Sequence, residues 1–113
     1  MEQTKIAIFN GGKIRKTWHK GEWWYPLKDV ATAITETSDP KGYNKDLRAR
    51  TRNMELLRQW KKIGIPVTTQ TKRGPKKFNC ANVAGLLFYV EFIPRKEKVK
   101  EFKNWLAKNS KEK

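Results

Sequence analysis

Lys41, Lys45, Arg48 and Arg52 recur at steps of three and four residues, the spacing that lines one face of an α-helix. At about 100° per residue the four side chains fall within roughly 40° of one another, while Tyr43, Leu47 and Met54 fall at roughly 200–240°, on the opposite side. Arg50 lies nearer the apolar side, where it can pair with Asp46 or snorkel. Such a face makes and breaks no bonds; it holds anions. A guanidinium engages a guanine edge through two hydrogen bonds, whereas lysines neutralise phosphates without reading sequence. A merely solvated face would mix signs at helical spacing, and Asp46 is the only acid within this stretch. A second cationic group, Lys72, Arg73, Lys76 and Lys77, surrounds Gly74-Pro75. It reads as a hairpin tip able to enter a minor groove or straddle a nucleic-acid backbone.

Other chemistries lack their residues. One histidine (His19) and one cysteine (Cys80) cannot form a zinc site without distant carboxylates. Asp29, Asp39 and Asp46 do not form the clustered acids of a metal-dependent nuclease. "RGPKK" has one glycine and no strand-loop-helix context for a phosphate loop. We therefore expect a binding protein with no catalytic residues, metal or cofactor. Asp29 falls in the first turn of a helix, where the dipole stabilises a carboxylate. Cys80 reads as a small buried group.

The elements that position the cations follow from hydropathy and turn residues. Lys5 to Phe9 and Lys13 to Trp18 read as strands joined at Asn10-Gly11-Gly12, with a short third strand over Glu22 to Tyr25. Leu27, Val30, Ala31 and Ile34 have helical spacing, and the helix should stop near Glu36. The cationic helix is expected over residues 41–54; Leu56 to Trp60 either extends it or begins another. Gly64 and Pro66 break the pattern. Val67–Thr71 and Lys76–Cys80 read as a strand pair around the turn Lys72-Arg73-Gly74-Pro75. Asn82 caps an apolar, buried helix that ends before Pro94. A last helix from about Lys96 to Lys108 buries Val99, Phe102, Trp105 and Leu106, and residues 109–113 form a frayed tail. The expected architecture is one α+β domain over 1–113: a small antiparallel sheet packed with about four helices. Trp23, Trp24 and Tyr25 are assigned mainly to the core. A single-strand stacking platform would need two or more of these rings on an open face.

The net charge of +15 in 113 residues calls for an anionic partner. It is unevenly placed. Residues 1–40 hold six basic and five acidic groups, whereas residues 41–62 hold eight and two, so the first third reads as scaffold. No apolar run reaches transmembrane length, and the N-terminal residues lack a signal-peptide pattern. We expect a soluble intracellular protein with no membrane partner.

The ordered set "GEWWYPLKDVATAI", "DPKGYNKDLRAR", a strand pair, "FNCANVAGLLFYVEFIP" and "EFKNWLAK" resembles the Bro-N domain. This is the N-terminal module of phage antirepressors and baculovirus repeated-ORF proteins. Trp23, Trp24, Asp29 and Val30, then Asn82, Gly85 and Leu86, then Phe102, Lys103 and Trp105 carry the likeness from about Ile6 to Lys108. The resemblance implies duplex-DNA binding in a phage or prophage transcriptional regulator of antirepressor type, acting in the bacterial host cytoplasm. Pro94-Arg95-Lys96-Glu97 departs from the Ser-Pro or Lys-Pro plus Ala segment frequent in relatives. Many relatives also carry a C-terminal domain that these 113 residues do not include. The second reading is a protein-interaction module, an antirepressor or counter-defence factor that binds an acidic partner protein. Monomer and homodimer both stay open.

Overall fold

Asn10 and Gly11 take positive φ, 47° and 82°, the conformation that lets a two-residue turn match the twist of its flanking strands. They join β1 (Thr4–Phe9) to β2 (Gly12–His19), with Ile6 opposite Arg15 and Ala7 opposite Ile14. Lys20 and Gly21 turn β2 into β3 (Glu22–Pro26) by the same means, at 53° and 80°. The structure, a computed structural model, describes residues 3–111. After β3 come α1 (Leu27–Thr35), α2 (Pro40–Ala49), α3 (Met54–Ile63), β4 (Gly64–Thr71), β5 (Gly74–Ala81), α4 (Val83–Tyr89), a 3-10 turn over Val90–Phe92, and α5 (Lys96–Asn109). The five strands form one antiparallel sheet in the order β1-β2-β3-β5-β4. The class is α+β, as expected.

Alternation along β3 sends neighbouring rings to opposite faces. Trp23 and Tyr25 enter the main core with Val30, Ile34, Leu86, Tyr89, Phe102 and Leu106. Trp24 enters a smaller cluster with Val67 and Cys80. All three rings are buried, at 3%, 0% and 8% exposure in that order, so they form no open stacking platform. The β4–β5 hairpin comes back against β1 and β2: the Thr17 hydroxyl lies 3.2 Å from that of Thr69 and 2.9 Å from that of Thr4, and the Gln70 N–H donates to Thr4 Oγ1. Arg15 locks the other end of this seam. Its guanidinium donates to both oxygens of Asp29 at 2.6 and 2.8 Å, its own N–H donates to Asp29 Oδ2, and its plane covers Phe78 at 4.4 Å. Asp29 is thus a tie between α1 and β2, and its hydrogen bonds hold the Arg15 pKa above its usual value.

Four expectations need correction. The helix expected over 41–54 breaks after Ala49, giving five helices among the described residues. The Thr51 hydroxyl donates to the Leu47 carbonyl and accepts from Trp60 Nε1 at 3.0 Å, and the Asn53 side chain caps α3 through the N–H groups of Glu55 and Leu56. Met54 therefore opens a new helix and is exposed. The helical pattern does break at Gly64, where α3 has ended, but the strand begins there and not at Val67: Gly64 and Pro66 belong to β4, an edge strand, where a proline costs no ladder bond. The turn is only Lys72-Arg73, with Gly74 (φ 105°) already paired to Thr71, so Lys76 and Lys77 stand within β5. The tail is not frayed through residue 111. The Asn109 carbonyl accepts from Lys16 Nζ at 2.5 Å and from the Tyr25 hydroxyl, and the Lys111 carbonyl accepts from Trp23 Nε1 at 3.1 Å. Residues 112 and 113 lie outside the described residues.

Burial pushes the Cys80 thiol from 9.0 up to about 12 and raises the phenols of Tyr25 and Tyr89 as well. These groups stay neutral when folded and ionise more readily when unfolded. Their contribution is complete below about pH 9 and is lost as pH rises toward about 12. The midpoint of denaturant unfolding should fall across that window, and Cys80 should resist alkylation by iodoacetamide at about pH 8 until the chain unfolds. A flat midpoint with rapid native-state alkylation would contradict this burial.

Candidate nucleic-acid interface

Asp39 accepts the Gly42 N–H and starts α2 at Pro40. Leu47, 5% exposed, and the half-buried Tyr43 dock the helix on the core. That rotation leaves Lys41, Lys45 and Arg48 exposed on its outer side. Together with Lys28 of α1, Asn44, Trp60 of α3 and Asn79 of β5 they line a groove of about 420 Å³. Four cations border it and no carboxylate does.

The groove has an ordered floor. Trp60 is 3% exposed, and Phe92, Phe88 and Tyr89 pack around its ring at 5.0, 5.7 and 5.9 Å. The Arg48 guanidinium lies 6.0 Å from the same ring, at the outer limit of a cation–π contact. Asn44 Oδ1 accepts from the buried Tyr89 hydroxyl at 2.5 Å. Its amide NH2 keeps two donors with no protein partner among the described residues, as does that of Asn79. Asn79 rests over Gly64: a Cβ at position 64 would come within 2.6 Å of its Oδ1 and 2.7 Å of its Nδ2. Gly64 has φ of −117°, so space beneath Asn79 is what this glycine provides.

Of the nine cations named from the sequence, Lys41, Lys45 and Arg48 share this groove. Lys77 continues its line on β5, since it stands two residues from Asn79 and therefore on the same strand face. The other five are placed elsewhere. Lys76 shares the opposite face with Phe78. Lys72 borders a hollow of about 610 Å³ with Ile6, Lys13 and Arg15, and Arg73 is exposed at the hairpin tip. Arg50 and Arg52 follow the break in α2 and line a separate hollow with Leu47, Leu56, Phe92 and Pro94. Arg52 thus leaves the stripe on which helical periodicity put it. None of the nine pairs with a carboxylate among the described residues; the ion pairs there include Arg15–Asp29, Arg58–Glu55, Lys98–Glu36 and Lys103–Glu91.

Sequence reasoning missed Lys28, Asn44, Trp60 and Asn79. Asn44 was within reach, because it lies about 60° from Lys41 on the helical wheel. Asn79 was not, because only the pairing of β5 with both β3 and β4 brings it beneath α2. Among the described residues no group of three or more His, Cys, Asp or Glu is placed to hold a metal ion, and no helix is long and apolar enough to cross a membrane.

Groove, last helix and the sheet from Lys13 of β2 onward, but not β1, fall within residues 13–111, the span matched by the family model for the BRO family, N-terminal domain (Bro-N). The chain belongs to this family. No curated protein and no solved structure matches it.

The Gly64–Asn79 contact is open to a direct check. Gly64→Ala should turn the Asn79 side chain away and shift its NH2 resonances in an ¹⁵N NMR spectrum, with a stability loss of about 1 kcal/mol or less. Unmoved Asn79 resonances would show that the groove wall is not built on this glycine.

Proposed function

We propose that the domain is the duplex-DNA-binding module of a phage or prophage transcriptional regulator of antirepressor type, a binding protein rather than an enzyme. The observation that carries this reading is the groove bordered by Lys28, Lys41, Lys45 and Arg48 with no acid among its lining residues. Membership of the Bro-N family supports a regulator from a virus or prophage, which would act on DNA in the bacterial host cytoplasm.

The chemistry divides by residue type. Lysines 28, 41, 45 and 77 neutralise phosphates and set the register of the duplex without reading it. Arg48 can present two donors to a guanine edge, and the ring of Trp60 limits how far its guanidinium wanders. The free amide donors of Asn44 and Asn79 add base or phosphate contacts. The ten residues of α2 span about 15 Å, and a major groove about 12 Å wide admits a helix. Arg73 stands six residues from Asn79, about 20 Å along the hairpin or about six base pairs, so a duplex lying on the groove also reaches the Lys72-Arg73 tip.

Anisotropy titration of a labelled duplex against salt tests the proposal. Four phosphate contacts, one for each of Lys28, Lys41, Lys45 and Lys77, give a slope of log affinity on log salt of about −3.6. Lys41→Ala with Lys45→Ala should make the slope shallower by about 2. Lys108→Ala with Lys111→Ala should lower affinity much less. Equal losses from the two pairs would reduce the interaction to diffuse charge, and weak, salt-insensitive binding to every duplex would remove the proposal.

A further inference from the structure

Arg50 and Arg52 are left over by the DNA groove, and their surroundings differ from it in kind. Their hollow, about 350 Å³, has Leu47, Leu56, Phe92 and Pro94 among its walls. A second hollow of about 420 Å³ is lined by Val90, Ile93, Val99, Lys96 and Lys100 and shares those same two residues, Phe92 and Pro94. The two are therefore halves of one trough that runs over the Phe92–Pro94 ridge, between the loop after α2 and the first turns of α5. Arg50, Arg52, Lys96 and Lys100 border it, all exposed and none paired with a carboxylate among the described residues. The one acid in its walls, Glu91, is already paired with Lys103.

We propose that this trough binds an acidic segment of a partner protein, with apolar side chains of that segment seated on Phe92 and Pro94 and its carboxylates against Arg50, Arg52, Lys96 and Lys100. Two features favour a peptide over a nucleic acid here. First, the floor is aliphatic and aromatic, and burying it is favourable only against apolar groups, which a phosphate backbone does not offer. Second, fewer polar side chains are free to read a base: the Thr51 hydroxyl donates to the Leu47 carbonyl and accepts from Trp60, and Asn53 Oδ1 accepts two N–H groups of α3. That leaves the Asn53 NH2 as the one free amide among the lining residues, against those of both Asn44 and Asn79 in the first groove. The rim cations give charge complementarity to Asp and Glu, steering association and choice of partner. The break after Ala49 thus leaves the molecule with two cationic surfaces, one flanked by Asn44 and Asn79 and one with an apolar floor.

A random peptide library selected on the whole protein tests this, with affinities then measured on the triple variant Arg50→Gln, Arg52→Gln, Lys100→Gln. A charge-matched control, Lys61→Gln, Lys62→Gln, Lys108→Gln, removes as many cations elsewhere. All six residues are exposed, so both variants should fold. Enriched peptides should combine Asp or Glu with Leu, Phe or Trp, bind the trough variant about tenfold more weakly than the control, and leave duplex binding equal in the two variants. Peptides that bind both variants alike, or a library that yields no acidic, apolar class, would overturn the proposal. Duplex binding lost in the trough variant but not in the control would assign the trough to nucleic acid instead. Because duplex affinity is read separately, failure of the peptide site leaves the DNA reading standing, and the converse also holds.

Discussion

One buried indole decides where the charge of this molecule goes. Trp60 sits at 3% exposure among Phe88, Tyr89 and Phe92, and its N–H is satisfied by the Thr51 hydroxyl. A buried indole N–H left unpaired would cost on the order of 1–3 kcal/mol, so this bond holds Thr51 in the loop. With Thr51 fixed there, α2 cannot run on through Arg52. The cations before the break look onto the groove that Trp60 floors; those after it look onto the trough walled by Phe92. Had the helix continued, Arg52 would have joined Lys41, Lys45 and Arg48, and the second surface would have lost one of its four rim cations.

The first third of the chain, nearly neutral in charge, supplies the frame against which that division is held. Arg15 and Asp29 tie the sheet to α1, and Lys28 stands one residue before Asp29, so the tie that holds α1 also fixes a cation on the groove. Lys16 and Tyr25 donate to the carbonyl of Asn109, the last residue of α5, and Trp23 to that of Lys111 just past it, closing the far end. A cation and two ring donors at the C-terminal end of a helix match its unsatisfied carbonyls and its dipole. Packing, capping and charge thus agree across the fold, and the surplus of positive charge is left to the surface.

What could be read in advance was whatever depends on near neighbours. The hairpin at Asn10-Gly11, the α1 stripe, the Asn82 cap and the burial of Val99, Phe102 and Leu106 are local patterns, and the structure follows them. The ordered residues from Trp23 to Trp105 were enough to point to the Bro-N family. The end of α2 was not legible, because the cationic period runs on through Arg52 and the stop is a side-chain bond made nine residues later. The strand was expected to start only at Val67, past Pro66, because nothing local shows that β4 is an edge strand. Asn79 looked like any exposed strand residue, since its place beneath α2 depends on pairing with β3. These are long-range facts, and they are also what builds the two surfaces.

The central claim is that the cations before the break in α2 act together on one duplex. Mapping ¹⁵N chemical shifts of the protein during titration with a duplex at moderate salt tests it most directly. The account predicts that the largest changes fall on Lys28, Asn44, Lys45, Arg48, Lys77 and Asn79, with the side-chain NH2 groups of both asparagines among them. Changes centred on α5, or spread evenly over every exposed lysine, would contradict it.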